Sequence, residues 1–171
     1  PCRHGKYNLC EDLKVMGFQT TGVASHYFAV DAAKVTLLPD DMSYDEGAMI
    51  EPLAVAVHAV KQARDVKGAK IAVLGAGPIG ILVAKECGVD FCVNTRNKDF
   101  GEAMTESLGP DKAEVIYDCA GNNITMGQAI KYARKGSTII LVAVFAGLGQ
   151  IDLAVLNDHE LDLNTSMMYR N

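Results

Sequence analysis

The stretch Ile71-Ala72-Val73-Leu74-Gly75-Ala76-Gly77-Pro78-Ile79-Gly80 decides the reading of this chain. A short apolar, β-branched run breaks into Gly-x-Gly-x-x-Gly and passes into Ile81-Leu82-Val83-Ala84-Lys85-Glu86, the order of a strand, a tight turn and a helix start. Each glycine has a mechanical use in that order. Gly75 allows the turn, Gly77 lets backbone approach a pyrophosphate, and Gly80 lets helix and strand pack closely. The unpaired N–H groups of the first helical turn then face the phosphates, and the helix dipole favours their charge. Pro78 suits the opening turn, where a missing N–H costs nothing. An ordinary glycine-rich loop is the alternative, and the neighbouring elements favour the dinucleotide turn.

Downstream the pattern alternates. Phe91-Cys92-Val93-Asn94 reads as a short strand, 101–108 as a helix closed by Gly109-Pro110, and Glu114-Val115-Ile116-Tyr117-Asp118 as a strand. A helix over 125–134 ends at Gly136; strands follow at 138–144 and 161–168. Apolar strands separated by amphipathic helices predict an α/β fold, a Rossmann-like parallel sheet with helices on both faces. Ligands of such sheets bind outside the carboxyl ends of the strands, here Gly75, Cys119-Ala120-Gly121 and Ala143-Val144-Phe145.

Upstream, Ser43-Tyr44-Asp45-Glu46 is a capping box that starts a helix near Tyr44. Pro52 is expected to break or kink it near Ile50-Glu51. Leu53 to Val60 is apolar on nearly every face, so the helix is expected to be buried there. That places the Glu51 carboxylate in apolar surroundings, where it needs a cation or turns to solvent. His58 reads as a core histidine and His26 as an outward strand residue. The first forty residues look irregular and all-β, with strands at 22–30 and 34–38. Cys2-x7-Cys10 has the look of half a four-cysteine zinc site, or of two free surface thiols.

The net charge of -5 comes from scattered acids and gives no footprint for nucleic acid or an anionic membrane. No apolar run approaches the roughly 18 residues that span a bilayer. An odd number of cysteines, five, points to a reducing, cytoplasmic setting and away from a disulfide framework.

In order along nearly the whole chain, these residues resemble the zinc-containing medium-chain alcohol and polyol dehydrogenases, the sorbitol dehydrogenase group. The resemblance is carried by Cys2-x7-Cys10, by Leu38-Pro39-Asp40, by Ala48-Met49-Ile50-Glu51-Pro52-Leu53-Ala54-Val55 and by the glycine turn. It implies that residues 1–50 are the carboxyl-terminal remnant of a GroES-like catalytic domain and that 51–171 form the dinucleotide-binding domain. It further implies that Glu51 stands beside a catalytic zinc as ligand or partner, and that Cys2 and Cys10 are two of four structural-zinc thiolates. Gly75, Gly77, Pro78, Ile79 and Gly80 match the coenzyme turn. Val142, Ala143 and Val144 match the strand end that meets the nicotinamide, and Tyr169 or Arg170 a position near substrate and ribose.

Three departures accompany the match. The amino-terminal half of the catalytic domain is not present, the structural-zinc lobe is half present, and no acid stands about 20 residues past the turn to grip a ribose. Either 89–94 is the second strand, with Asp90 or Asp99 as the acid, or a segment near 83–85 is lacking and 87–94 corresponds to the third strand. The expectation is an NAD- and zinc-dependent oxidoreductase acting on a small alcohol or polyol, as a homodimer or homotetramer, with the isolated chain inactive. A nucleotide-binding module without redox chemistry is the second reading. A zinc-independent quinone-reductase relative is a third, disfavoured by Glu51-Pro52 and Cys2-x7-Cys10.

Overall fold

A computed structural model describes residues 2–63 and 66–170. The chain divides into two compact units, one running through Glu51 and including Arg170, the other Pro52–Tyr169.

The second unit is built on a four-stranded, wholly parallel sheet. Its strands are β1 (Ile71–Leu74), β2 (Ala113–Asp118), β3 (Ala133–Leu141) and β4 (Asp162–Thr165), adjacent in that order. Helix α1 (Tyr44–Val60) precedes the sheet. Helices α2 (Pro78–Cys87) and α3 (Phe100–Leu108) link β1 to β2; α4 (Asn123–Tyr132) links β2 to β3, and α5 (Leu153–Asp158) links β3 to β4. Successive strand residues point to opposite faces, which divides the apolar interior into two layers. On one face Ala72, Leu74, Ile116 and Ile139 pack with Met104, Met126 and Ile130 from α3 and α4. On the other, Val115, Tyr117 and Ile140 pack with Ala56, Ala59 and Val60 of α1 and Val83 of α2. Fully buried Tyr117 donates its hydroxyl to the Val60 carbonyl at 3.2 Å, tying the last turn of α1 to the sheet.

The expected capping box closes α1. Ser43 N–H donates to Glu46 Oε2 at 2.9 Å, and Glu46 N–H donates to Ser43 Oγ at 3.3 Å. These bonds also hold the Glu46 carboxyl below its usual range, the Ser43 hydroxyl first. The predicted break at Pro52 does not occur: α1 is one helix from Tyr44 to Val60. The carbonyl that loses its partner is that of Ala48, an exposed residue, so water can take the place of the absent N–H.

Several expected strands are not formed. Residues 22–30 and 34–38 are irregular, and the amino-terminal unit contains only short 3₁₀ turns, Cys2–His4, Tyr7–Leu9 and Ala32–Lys34, with a lone bridge from Met16 to Thr20. Strand-prone sequence needs a partner to hydrogen-bond with and a layer to cover it. Here Phe18, Tyr27 and Leu37 are between 84% and 95% exposed. Residues 91–94 are likewise not a strand: Phe91 is exposed and the outer edge of β1 has no strand beside it among the described residues. Helix α5 lies between the expected strands 138–144 and 161–168; its six residues are capped by Asp152, whose carboxylate accepts from Ala154 and Val155 N–H at 3.1 Å each. No helix among the described residues is long and apolar enough to cross a membrane.

Candidate functional site

At the end of β1 the chain reverses through Gly75, whose φ of +103° lies in the region that favours glycine. A Cβ there would stand 3.0 Å from the backbone of Cys119 and Ala120, so the β1 turn and the β2 turn are pressed together. Gly77 is the N-cap of α2, with φ −76° and ψ 177°, and Pro78 is the first helical residue. The first helical bond runs from Ile81 N–H to the Gly77 carbonyl at 2.9 Å. Among the described residues, the N–H groups of Gly77, Ile79 and Gly80 have no internal acceptor. They are the orphan donors of a helix start, exposed at Gly77 and less so along the turn.

Gly77 and Gly80 do opposite things. A Cβ on Gly77 would meet nothing within 4 Å, so the residue is glycine at a place where the fold itself leaves room for a side chain. A Cβ on Gly80 would lie 1.9 Å from the Gly75 carbonyl oxygen and 3.4 Å from Cys119 Cβ. Gly80 therefore lets the helix close onto the turn and the neighbouring strand end.

The β2 turn is organised by Asp118, fully buried at the end of its strand. Its Oδ1 accepts from Ala120 N–H at 3.0 Å and Gly121 N–H at 3.1 Å, and the Thr125 hydroxyl lies 3.2 Å from Oδ2. Its backbone carbonyl accepts from Val142 and Ala143 N–H, both at 3.0 Å, while Cys119 N–H donates to the Leu74 carbonyl at 2.8 Å. Asn122 then caps α4, accepting from Ile124 and Thr125 N–H. A Cβ on Gly121 would lie 2.6 Å from Ala143 Cβ and 3.3 Å from the Val144 carbonyl oxygen. Three strand ends thus meet: the glycine turn, residues 118–121 and residues 142–144. Asp118 was not singled out in the sequence, although it is the only charged side chain in the run Val115–Gly121.

An open cleft of about 1230 Å³ starts at Gly75, Ala76 and Gly80 and follows the free edge of β1, lined by Ile71, Val73, Phe91 and Met104 among others. Asp90 lines it, whereas Asp99 is spent as the N-cap of α3, accepting from Glu102 N–H at 3.1 Å. Helix α2 is continuous through residues 83–85.

Two thiols lie in the α1- and α2-covered layer. Burial first, then the Asp118 charge, pushes Cys119 up to about 12, and burial pushes Cys87 up as well. Both are therefore neutral near pH 8, whereas Cys92 is exposed. A thiol reagent at pH 8 is expected to label exposed Cys92 ahead of Cys87 and Cys119, which are half-buried and held protonated, as peptide mapping would read. A raised folded-state value also fixes the sign of the pH effect. The stabilisation is complete below the unfolded thiol value near 8.5. It is lost as pH rises from there towards 12, because only the unfolded chain ionises. Cys119→Ala is expected to flatten that alkaline loss in urea titrations.

Tyr169 is half-buried, and Arg170 is exposed and groups with the amino-terminal unit. Glu51 is exposed on α1, so the expected apolar surroundings are not formed about it. His58 is buried, with Gln62 Nε2 3.2 Å from its Nε2, as expected of a core histidine. His26 is exposed in an irregular segment. Cys10 is a half-buried free thiol, and the side chain of Cys2 lies outside the described residues. Among the described residues no three His, Cys, Asp or Glu side chains come together as a metal cage. The donors present do not by themselves fit a zinc ion.

Comparison with known proteins agrees with this architecture. A grape L-idonate 5-dehydrogenase is 30% identical over 199 residues, covering 99% of this chain and 54% of the relative. A sorbitol dehydrogenase of Arabidopsis thaliana is 31% identical over 200 residues, covering 99% and 55%. The aligned stretches are longer than this chain, so these relatives carry residues between matched segments that it does not. The crystal structure of an Escherichia coli alcohol dehydrogenase complexed with NADH superposes with TM-score 0.87 at 25% identity, covering 100% of this chain and 58% of that one. The chain thus spans about half the length of the relatives it matches. The model of the family described as zinc-binding dehydrogenase matches residues 54–171, the sheet, the glycine turn and all three strand ends, and to that family this chain belongs.

Proposed function

We propose that this chain supplies the nicotinamide-dinucleotide half of an oxidoreductase that exchanges a hydride between a small alcohol or polyol and NAD. The observation that carries this reading is Gly77: helix-start amides without an internal acceptor, at an exposed glycine whose missing side chain nothing in the fold requires. The amides of Gly77, Ile79 and Gly80 would hold the diphosphate, with Gly75 and Pro78 shaping the turn. Val142, Ala143 and Val144 would border the nicotinamide at the β3 end. Tyr169 or Arg170 would stand near its ribose. When bound, the nicotinamide would supply the hydride-accepting ring, and this chain's residues would hold and orient it.

Substrate class is supported by the company the sequence keeps, idonate and sorbitol dehydrogenases among them. NAD in preference to NADP rests on the resemblance alone. Glu51 toward a catalytic zinc, and Cys2 and Cys10 toward a structural one, would be metal ligands that need further donors from beyond this chain. Zinc analysis of a protein that includes the missing donors, with Glu51→Gln alongside, tests that part; no zinc and no effect would contradict it. A cytoplasmic setting and pairing of β4 edges between copies belong to the same proposal. Light scattering showing a monomer would remove the pairing.

The direct experiment is titration of the 171-residue chain with NADH, followed by cofactor fluorescence. Saturable binding competed by NAD supports the reading, and no binding contradicts it. Polyol-dependent NADH formation is expected to be absent from this chain and present in a protein carrying the full metal cage. Turnover by this chain alone would contradict the assignment of the cage to residues outside it.

A further inference from the structure

Asp118 is an unusual way to hold a turn. Its carboxylate is fully buried, and no ion pair to it exists among the described residues. A neutral acceptor such as asparagine could receive the same N–H groups of Ala120 and Gly121, and burying an unpaired charge is costly. Two amide donors, with the Thr125 hydroxyl 3.2 Å from the other oxygen and shared with the Asn122 carbonyl at 3.1 Å, ease that cost without cancelling the charge. The charge is felt nearby: it is the second cause, after burial, that keeps the Cys119 thiol protonated.

The place of that charge matters as much as its burial. Asp118 ends β2 between the glycine turn and the β3 end: its carbonyl accepts from Val142 and Ala143 N–H, and the next residue, Cys119, donates to the Leu74 carbonyl that leads into the glycine turn. We infer that Asp118 is a positioning residue whose buried negative charge biases the strand-end cleft toward the oxidised, positively charged nicotinamide over the neutral reduced one. The inference rests on the dinucleotide reading above. A carboxylate that touches no cofactor atom acts through the field across the turn it holds, and a low-dielectric surrounding lengthens its reach. The diphosphate and adenosine are common to both redox forms, so they cancel in the ratio of the two affinities. What remains is the ring charge.

The test is isothermal titration of the full chain with NAD⁺ and with NADH, for wild type, Asp118→Asn and Asp118→Ser. Both variants keep an acceptor for the turn and remove the charge. The expected result is NAD⁺ affinity weaker by about fivefold with NADH affinity changed less than about twofold, on the order expected of one partly screened charge. Equal weakening of both forms would mean that Asp118 only shapes the turn, which overturns the inference while leaving the dinucleotide reading intact. Failure of wild type to bind either form overturns both. Should the two variants not fold, Ala120→Lys decides. Ala120 is exposed and beside the carboxylate, and a cation there is expected to shift the ratio in the same direction. An unchanged ratio in that variant overturns the inference.

Discussion

Gly77→Asp is expected to reduce NADH affinity by at least about 100-fold and to leave unfolding stability within about 0.5 kcal/mol of wild type. The two halves of that expectation come from the same observation. The backbone at Gly77 has φ −76°, which any residue adopts, and a Cβ would meet nothing within 4 Å. Folding is therefore indifferent to a side chain there. A diphosphate is not: the new carboxylate would occupy the space in front of the amides and set like charge against the phosphates. Loss of two or more charge-assisted hydrogen bonds costs roughly 3 kcal/mol, a factor of at least about 100 in affinity. Cofactor fluorescence and urea unfolding on the same preparations read the two quantities. Unchanged affinity would mean that the diphosphate lies elsewhere.

Gly80→Ala is expected to do the reverse in order of cause. Its added methyl would lie 1.9 Å from the Gly75 carbonyl oxygen, a backbone atom that cannot rotate away. Either α2 lifts from the turn or the turn opens, at a cost of about 3 kcal/mol. For a domain of this size that lowers the thermal midpoint by about 10 °C, and cofactor affinity falls with it because the amides are no longer aligned. A variant as stable as wild type would show that the helix start has more slack than its contacts indicate. Together the two glycines separate a binding requirement from a folding requirement within four residues of sequence.

Most of the sheet was legible because its signals are local. Ile71–Leu74 is apolar throughout and Val115–Tyr117 is buried throughout, so neither shows a hydrophobic-polar alternation in sequence and both stand out as continuous stretches. Gly-x-Gly-x-x-Gly and the Ser43–Glu46 box fix their backbone with side chains a few residues apart, and both were found in the expected form. The errors fall where structure depends on distant partners. Residues 22–30, 34–38 and 91–94 have strand-like composition, but strands exist only against a neighbour, and none is supplied to them among the described residues. Pro52 carries an intrinsic penalty inside a helix, but Ala48, whose carbonyl loses its partner, is exposed, which removes much of that penalty. Asp118 was missed for the same reason in reverse. Its partners, the amides two and three residues on and the Thr125 hydroxyl, matter only once the chain has turned to bring β3 and the glycine turn against them.

The central claim is that the amides of Gly77, Ile79 and Gly80 receive a diphosphate at the mouth of a parallel sheet. It is tested most directly by ¹⁵N-resolved titration of the chain with NADH and, separately, with ADP-ribose, which keeps the diphosphate and lacks the nicotinamide. The expected result is that these three amide resonances shift in both titrations, while those near Asp118 and Val142–Val144 shift only with NADH. Binding that leaves the three amides unmoved would contradict the account.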